Sequence, residues 1–221
     1  APQTISDATE LAQNLEIEFY TIPIKTILKG FDETLGRVKG WSNTGVAYEN
    51  LQARIRGTLL MSLSNQFSYL VLTTGNKSET AVGYSTLYGD TAGGFAVIKD
   101  VPKTMVYKLA RHVNKIHQRQ LIPKSVMTRP PSAELKKNQK DTDLLPEYDL
   151  LDQILKGYIE EDKSAQQMIE QGLPEDVVNR TIRMVDRNEY KRRQSPPGVK
   201  ITPKAFGKDR RMPITNLYVS H

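Results

Sequence analysis

The sequence predicts an α/β domain, with a mostly parallel sheet flanked by helices and followed by C-terminal helices and a tail. Two short apolar runs, 67–72 and 93–98, are typical of strands buried on both faces of a parallel sheet. Segments with helical periodicity alternate with extended ones, as such a sheet requires. Polar residues follow each run directly, at the edge where parallel sheets bind ligands.

The N-terminal half alternates between helical and extended patterns. Apolar residues at helical spacing indicate helices, whereas β-branched and aromatic residues indicate a strand. The patterns predict, in order, a helix at 6–15, a strand at 17–24, a glycine-rich stretch that is partly loop at 30–44, and helices at 46–64 and 105–116. Both apolar runs lie between the last two helices.

The C-terminal half is more polar. From 128 to 143 the chain is rich in proline and charge, and we expect an ordered crossing loop or a mobile lid there. Three polar amphipathic helices are predicted after it, at 148–159, 164–170 and 174–192. We therefore expect residues 1–193 to form one α/β domain and residues 194–221 to form a basic tail.

Composition excludes several classes of protein. The 221 residues include no cysteine, which rules out disulfides, thiolate zinc sites and a cysteine nucleophile. His112 and His117 are five residues apart and support neither a zinc site nor a triad. Because no apolar run approaches the roughly 20 residues of a membrane span, we expect a soluble, cytoplasmic protein without a membrane partner.

Positive charge is concentrated near both ends of the C-terminal half, and the net charge is +6. Such clusters attract the phosphates of a nucleotide or a nucleic acid, or simply form a solvated face. Phe206 is the single aromatic residue between Lys200 and Arg211. This scarcity argues against nucleic-acid binding, which uses aromatic stacking.

The turn after the first apolar run, TTGNKSE at 73–79, combines hydroxyls, a glycine, an amide, a cation and a carboxylate. A turn of this kind can contact a nucleotide while its carboxylate helps to hold a divalent cation. Glu79 is the candidate ligand for Mg²⁺, which needs one or two protein carboxylates when phosphates supply other oxygens. The alternative is that Glu79 caps the next helix.

Other polar residues have similar pairs of interpretations. Lys103, at a predicted helix start, can screen a triphosphate or be an ordinary surface lysine. Asn50 and Arg54 share one helical face and can hold a ligand's polar edge, unless Arg54 forms a buried salt bridge. Asp90, in a Tyr-Gly-Asp turn, is a ligand carboxylate or a turn former.

Six strings occur together in this sequence. They are ENLQARIRG (49–57), LTTGNKSE (72–79), GYSTLYGD (83–90), KDVPKT (99–104), PPSAEL (130–135) and NEYKRRQSPPG (188–198). In combination they resemble the synthetase domain of bacterial glutamine-dependent NAD synthetases, nearly from end to end. The resemblance implies a Rossmann-like sheet of the ATP pyrophosphatase type.

The resemblance also implies an activity. The family amidates deamido-NAD with ATP and Mg²⁺ through an adenylate, and releases NAD, AMP and pyrophosphate. The ammonia comes from glutamine through a glutaminase domain that lies upstream. The family is generally homo-oligomeric, with its synthetase domains paired.

The resemblance assigns roles to individual residues of this chain. The residues implied to contact deamido-NAD are Asn50, Arg54, Glu79 and Lys191. Those implied to bind ATP are Thr74, Lys103 and Ser132. Lys103 and Asp90 are the candidate catalytic residues, and Glu79 is also the candidate metal ligand.

The sequence departs from the family pattern in two ways. Leu87 and Gly94 occupy positions near which short, ammonia-dependent relatives carry lysine and aspartate, so the glutamine-dependent branch is the better match. The Ser-Gly-Gly-x-Asp-Ser loop and the cysteine-dependent glutaminase domain do not occur within these residues. We therefore expect part of a longer enzyme; the alternative is an inactive nucleotide-binding fold or scaffolding module that lost its phosphate loop.

Overall fold

The computed structural model describes residues 2–136 and 138–214, in which helices flank a short parallel sheet. The α-helices are α1 (Pro2–Asn14), α2 (Lys25–Leu35), α3 (Gly45–Phe67), α4 (Lys77–Val82), α5 (Lys103–Ile116), α6 (Lys124–Thr128), α7 (Tyr148–Leu155), α8 (Ala165–Glu170), α9 (Glu175–Arg187) and α10 (Glu189–Arg192). A 3-10 turn spans Asp141–Asp143 and a π-helical turn spans Lys156–Glu160. The order of helices and strands confirms the predicted α/β class.

The sheet within the described residues consists of β1 (Leu72–Thr73) and β2 (Phe95–Ala96). The strands are parallel, as predicted, with Leu72 opposite Phe95. The prediction that 67–72 forms a strand buried on both faces is wrong. Phe67 continues α3, the backbone pairs only over Leu72 and Thr73, and the side chains of Leu70 and Leu72 are left 66% and 53% exposed.

One N-terminal prediction also differs from the structure. Residues 17–24 form no helix and no strand with any described residue, since β-branched side chains favour a strand only where a partner is available. The stretch 30–44 is loop in part, as predicted: it begins inside α2, which Gly30 does not interrupt, and residues 36–44 belong to no helix or strand. The predicted helices at 46–64 and 105–116 are confirmed as α3 and α5.

The main core of the described chain lies among α4, α7, the π-helical turn and α9. The buried apolar residues of this cluster are Ala81, Val82, Leu145, Tyr148, Leu151, Leu155, Ile159 and Val185. Their burial removes apolar surface from water, which is the dominant stabilising contribution in such a cluster. α4 and α7 are therefore held firmly, and α4 carries Glu79, which lines the cavity described below.

The segment after α10 packs against the domain as far as it is described. Asp100 accepts hydrogen bonds from the backbone nitrogens of Ile201 and Thr202, both at 2.7 Å. The Arg210 guanidinium stacks 4.1 Å from the ring centroid of Tyr158. The boundary between domain and tail at residues 193 and 194 stays a prediction, and residues 215–221 of the predicted tail lie outside the described residues.

Candidate functional site

A cavity of about 680 Å³ opens at the carboxyl end of β1. It lies between α3, the start of α4, the start of α5 and the segment at 130–135. The sequence-predicted residues that line it are Thr74, Glu79, Asp90, Lys103 and Ser132. The position agrees with the expectation that ligands bind beyond the ends of parallel strands.

Glu79 is the third residue of α4 and closes a capping box at the helix start. Its backbone nitrogen donates to Asn76 Oδ1 at 3.0 Å, and its Oε2 accepts from the Asn76 nitrogen at 3.2 Å. The helix-capping alternative is therefore confirmed for one carboxylate oxygen. The other oxygen, Oε1, faces the cavity wall.

Lys103 is the first residue of α5 and pairs with that second oxygen. Its Nζ lies 3.1 Å from Glu79 Oε1, and its side chain is 18% exposed, which excludes an ordinary surface lysine. Burial opposes the charge of Lys103, but the Glu79 carboxylate outweighs it and raises the pKa of Lys103 above the usual 10.5. The ammonium group therefore remains charged at neutral pH.

An aromatic and acidic cluster, formed by Tyr84, Asp141 and Tyr148, lies beside Lys103. The two hydroxyls donate to Asp141 at 3.0 Å and 2.7 Å respectively. Burial and the nearby carboxylates raise the pKa of both tyrosines, so each stays a protonated donor. Lys103 Nζ lies 5.3 Å from the ring centroid of Tyr148, within the range of a cation–π contact.

The segment at 128–143 is anchored at both ends. At its start, Arg129 Nη2 lies 2.6 Å from Oδ2 of the buried Asp7 on α1, and Ser125 Oγ donates to Asp7 Oδ1. At its end, Asp141 is held by the two tyrosines. Between these anchors, Ser132 accepts a hydrogen bond from the Glu134 nitrogen at 3.0 Å. Residues 130–135 of the segment line the cavity, and the choice between an ordered crossing loop and a mobile lid stays a prediction.

Three predicted residues contact the turn at 83–90 and do not line the cavity: Asn50, Arg54 and Lys191. Asn50 Oδ1 accepts from Thr86 Oγ1 at 2.6 Å, and Arg54 Nε donates to the Leu87 oxygen at 3.2 Å. Arg54 is exposed, so the alternative of a buried salt bridge is wrong. Asn50 and Arg54 share one face of α3, as their spacing predicts.

Lys191 and Asp90 hold the same turn. Lys191 Nζ donates to the oxygens of Gly83 and Ser85, at 2.6 Å and 2.8 Å. Burial lowers its pKa, and Asp90 partly offsets this effect. Asp90 Oδ1 accepts from the Thr86 nitrogen at 2.7 Å, which confirms the turn-forming role, while the packing around its carboxyl group raises its pKa.

Sequence reasoning missed part of the cavity wall. Tyr84 and Asp141 line the cavity but are not among the predicted site residues, although Tyr84 lies inside the string GYSTLYGD and Asp141 inside the predicted lid. Their partnership joins residues 57 positions apart, so no local pattern could have found it. Thr74 is exposed at the cavity, and its role, like those of the other predicted site residues, stays a prediction.

The sheet, the cavity at its edge and the paired cation and carboxylate define an α/β domain with a candidate ligand site beyond the ends of its parallel strands. The sequence model of the NAD synthase family matches residues 1–195, and this chain belongs to that family. It is 56% identical over 216 residues to the glutamine-dependent NAD(+) synthetase of Aquifex aeolicus. That alignment covers 98% of this chain and 38% of the relative, so the chain spans well under half of the relative's length.

Solved structures confirm the family and the Rossmann-like fold. The chain is similar to the glutamine-dependent NAD+ synthetase of Acinetobacter baumannii in complex with ADP, at 47% identity and a TM-score of 0.55. That match covers 98% of this chain and 39% of the other. It is also similar to NMN synthetase from Francisella tularensis, at 26% identity and a TM-score of 0.70, covering 86% of this chain and 71% of the other.

Proposed function

We propose that this chain forms the synthetase part of an enzyme that converts deamido-NAD to NAD with ATP and ammonia. The observation that carries the proposal is the Lys103–Glu79 pair in a cavity at the end of a parallel strand, in a chain of the NAD synthase family. A relative of this chain binds ADP, which supports a nucleotide ligand here. No helix within 2–136 and 138–214 is long and apolar enough to cross a membrane.

The reaction joins two displacements. A carboxylate oxygen of the nicotinate group attacks the α-phosphorus of ATP, and the bond to pyrophosphate breaks. Ammonia then attacks the acyl carbon of the adenylate, loses a proton and expels AMP. Both steps need negative charge neutralised and reactants held in place, as a cavity with a fixed cation allows.

The ATP side of this reaction is assigned to the cavity. The Lys103 ammonium group can pair with a phosphate, and Thr74 and Ser132 carry hydroxyl groups in the lining of the same cavity. Mg²⁺ would be held by Glu79 and would supply charge neutralisation at the phosphates. Among the described residues no group of three His, Cys, Asp or Glu side chains is placed to hold a metal. Substrate phosphates would therefore complete the coordination, as Mg²⁺ sites commonly require.

The deamido-NAD side is assigned to the turn at 83–90. Lys191 uses two of its three N–H groups on backbone carbonyls, which leaves a third for a ligand. Asn50 and Arg54 support the same turn from α3. Asp90 lines the cavity as well as closing this turn, so it lies between the two assigned sites and is the second candidate catalytic residue. A paired synthetase domain and an upstream glutaminase that supplies ammonia belong to the same proposal.

The test is synthesis by the intact protein that contains this chain. With deamido-NAD, ATP, Mg²⁺ and ammonium, we expect NAD, AMP and pyrophosphate in equal amounts. If the mononucleotide acid were amidated in place of deamido-NAD, the substrate assignment would be wrong. If neither were amidated and calorimetry detected no ATP binding, the chain would be an inactive scaffolding module.

A further inference from the structure

The start of α5 lacks a cap of its own. The residue at its N-cap position is Pro102, whose side chain carries no hydrogen-bond acceptor. Free backbone N–H groups at a helix start need acceptors from elsewhere. The placement of Lys103, the first residue of α5, therefore depends on residues outside this helix.

Two other helices supply these acceptors. Ser78 Oγ, on α4, accepts from the Lys103 nitrogen at 2.8 Å. Asp152 Oδ2, on α7, accepts from the Thr104 nitrogen at 2.9 Å. Asp152 Oδ1 also accepts a hydrogen bond from Ser78 Oγ, so the serine hydroxyl joins the two. The carboxylate thus binds two helix starts at once.

Asp152 lies on α7, a helix that is packed into the core. On α7, Leu151 and Ile154 are fully buried, with no exposed surface, which fixes the helix in the core. Tyr148 and Asp152 are four residues apart and share one face of α7. Tyr148 contacts the Lys103 side chain through its ring, and Asp152 reaches the Lys103 backbone through the Ser78 hydroxyl. One face of α7 therefore supports both parts of Lys103.

We infer that Asp152 is a positioning residue for the proposed reaction, acting through Ser78 to hold Lys103 opposite Glu79. The inference rests on the proposed function of that pair. Glu79 is on α4 one residue after Ser78, so the hydroxyl that caps α5 fixes the separation between the cation and the carboxylate. An anion at a helix start is also favoured by the helix dipole.

The decisive variant is Asp152→Asn, which keeps the size of the side chain. In the wild type, one carboxylate oxygen of Asp152 accepts from Ser78 Oγ and the other from the Thr104 nitrogen. The asparagine side chain has only one acceptor oxygen, so one of these donors would face its NH₂ group instead. The matched control is Asp149→Asn, because Asp149 is exposed on the same helix. Asp152→Glu restores the carboxylate and is expected to recover part of the lost activity.

Two measurements in the intact protein test the inference. We expect Asp152→Asn to lower kcat/KM for ATP by about ten- to a hundred-fold, as small misplacements of a reacting group do. We also expect acylation of Lys103 by an N-hydroxysuccinimide ester, followed by mass spectrometry, to become several-fold faster. Asp149→Asn should change neither, and acylation of Lys108 should be the same in all variants.

The inference is overturned if Asp152→Asn matches Asp149→Asn in both measurements. Should Asp152→Asn fail to fold, Ser78→Ala removes the same cap with a smaller change, and wild-type values for it would overturn the inference equally. If the wild-type protein makes no NAD, the proposed function fails. The acylation rates of Lys103 then still decide whether Asp152 positions it.

Discussion

Lys103 Nζ lies 3.1 Å from Glu79 Oε1, so the first residue of α5 is paired with the third residue of α4. The two side chains are 18% and 19% exposed. Partial removal from water makes such a pair stronger and less sensitive to salt than a surface pair. The geometry therefore keeps one positive charge fixed at the wall of the cavity.

Replacing Lys103 by alanine should remove that charge from the reaction. If Lys103 stabilises charge on the phosphates, kcat for NAD synthesis should fall by about 10²-fold or more. Steady-state kinetics of the intact protein measure this. Lys103→Arg should be intermediate, because a guanidinium keeps the charge but not the geometry. Lys108→Ala, exposed on the same helix, should stay near wild type, and an equal loss there would contradict the assignment.

The hydroxyl of Tyr148 should contribute measurably to stability. It donates to the buried Asp141 at 2.7 Å, and a hydrogen bond to a charged group contributes about 1.5–3 kcal/mol. We therefore expect Tyr148→Phe to lower the free energy of unfolding by that amount in urea titrations. Tyr190→Phe, at a tyrosine that is 40% exposed, is the control. Equal effects of the two substitutions would rule out a special role for the Asp141 contact.

Local chemistry predicted much of the site. The TTGNKSE turn has the capping box and the cavity position that its residue types favour, and Lys103 begins a helix as its neighbour Pro102 indicates. These features depend on residues within a few positions of one another. A sequence displays them directly.

Long-range partnerships could not be predicted in the same way. Asp152 meets Ser78 across 74 positions, and Asp141 meets Tyr84 across 57. The prediction of a strand at 17–24 was wrong for a related reason: a strand needs a pairing partner, and the composition of a segment does not show whether one is nearby. The type of a side chain does not specify which distant part of the chain will lie next to it in the fold.

Acid should release the segment at 198–204 from the domain. Asp100 is 2% exposed, and although burial opposes its charge, the amides of Thr202 and Ile201 and the Lys77 ammonium lower its pKa below the usual 3.8. As the pH falls, Asp100 is therefore protonated at a higher pH in the unfolded chain than in the folded protein. The stabilisation is complete above about pH 3.8 and is lost as the pH falls through the lower folded value.

Urea titrations between pH 6 and pH 2 measure this dependence. Asp100→Asn should be less stable than wild type at pH 6, because it leaves Lys77 with one fewer buried counter-charge. The difference should narrow as the pH falls, because protonation of wild-type Asp100 removes the same counter-charge. A gap that widened in acid would show that Asp100 is not held in its charged form.

Gly57 is the point where α3 approaches the turn that carries Asp90. A Cβ atom at this position would lie 2.9 Å from the backbone oxygens of Tyr88 and Gly89, closer than real contacts allow. Gly57→Ala must therefore displace the turn, and we expect a loss of about 1–3 kcal/mol in unfolding free energy.

Gly30→Ala is the matched control, since that glycine is also helical but a Cβ there meets open space. It should stabilise the protein by about 0.5–1 kcal/mol, because alanine loses less backbone freedom on folding. If both substitutions shifted stability in the same direction, the close approach at Gly57 would not be what requires a glycine.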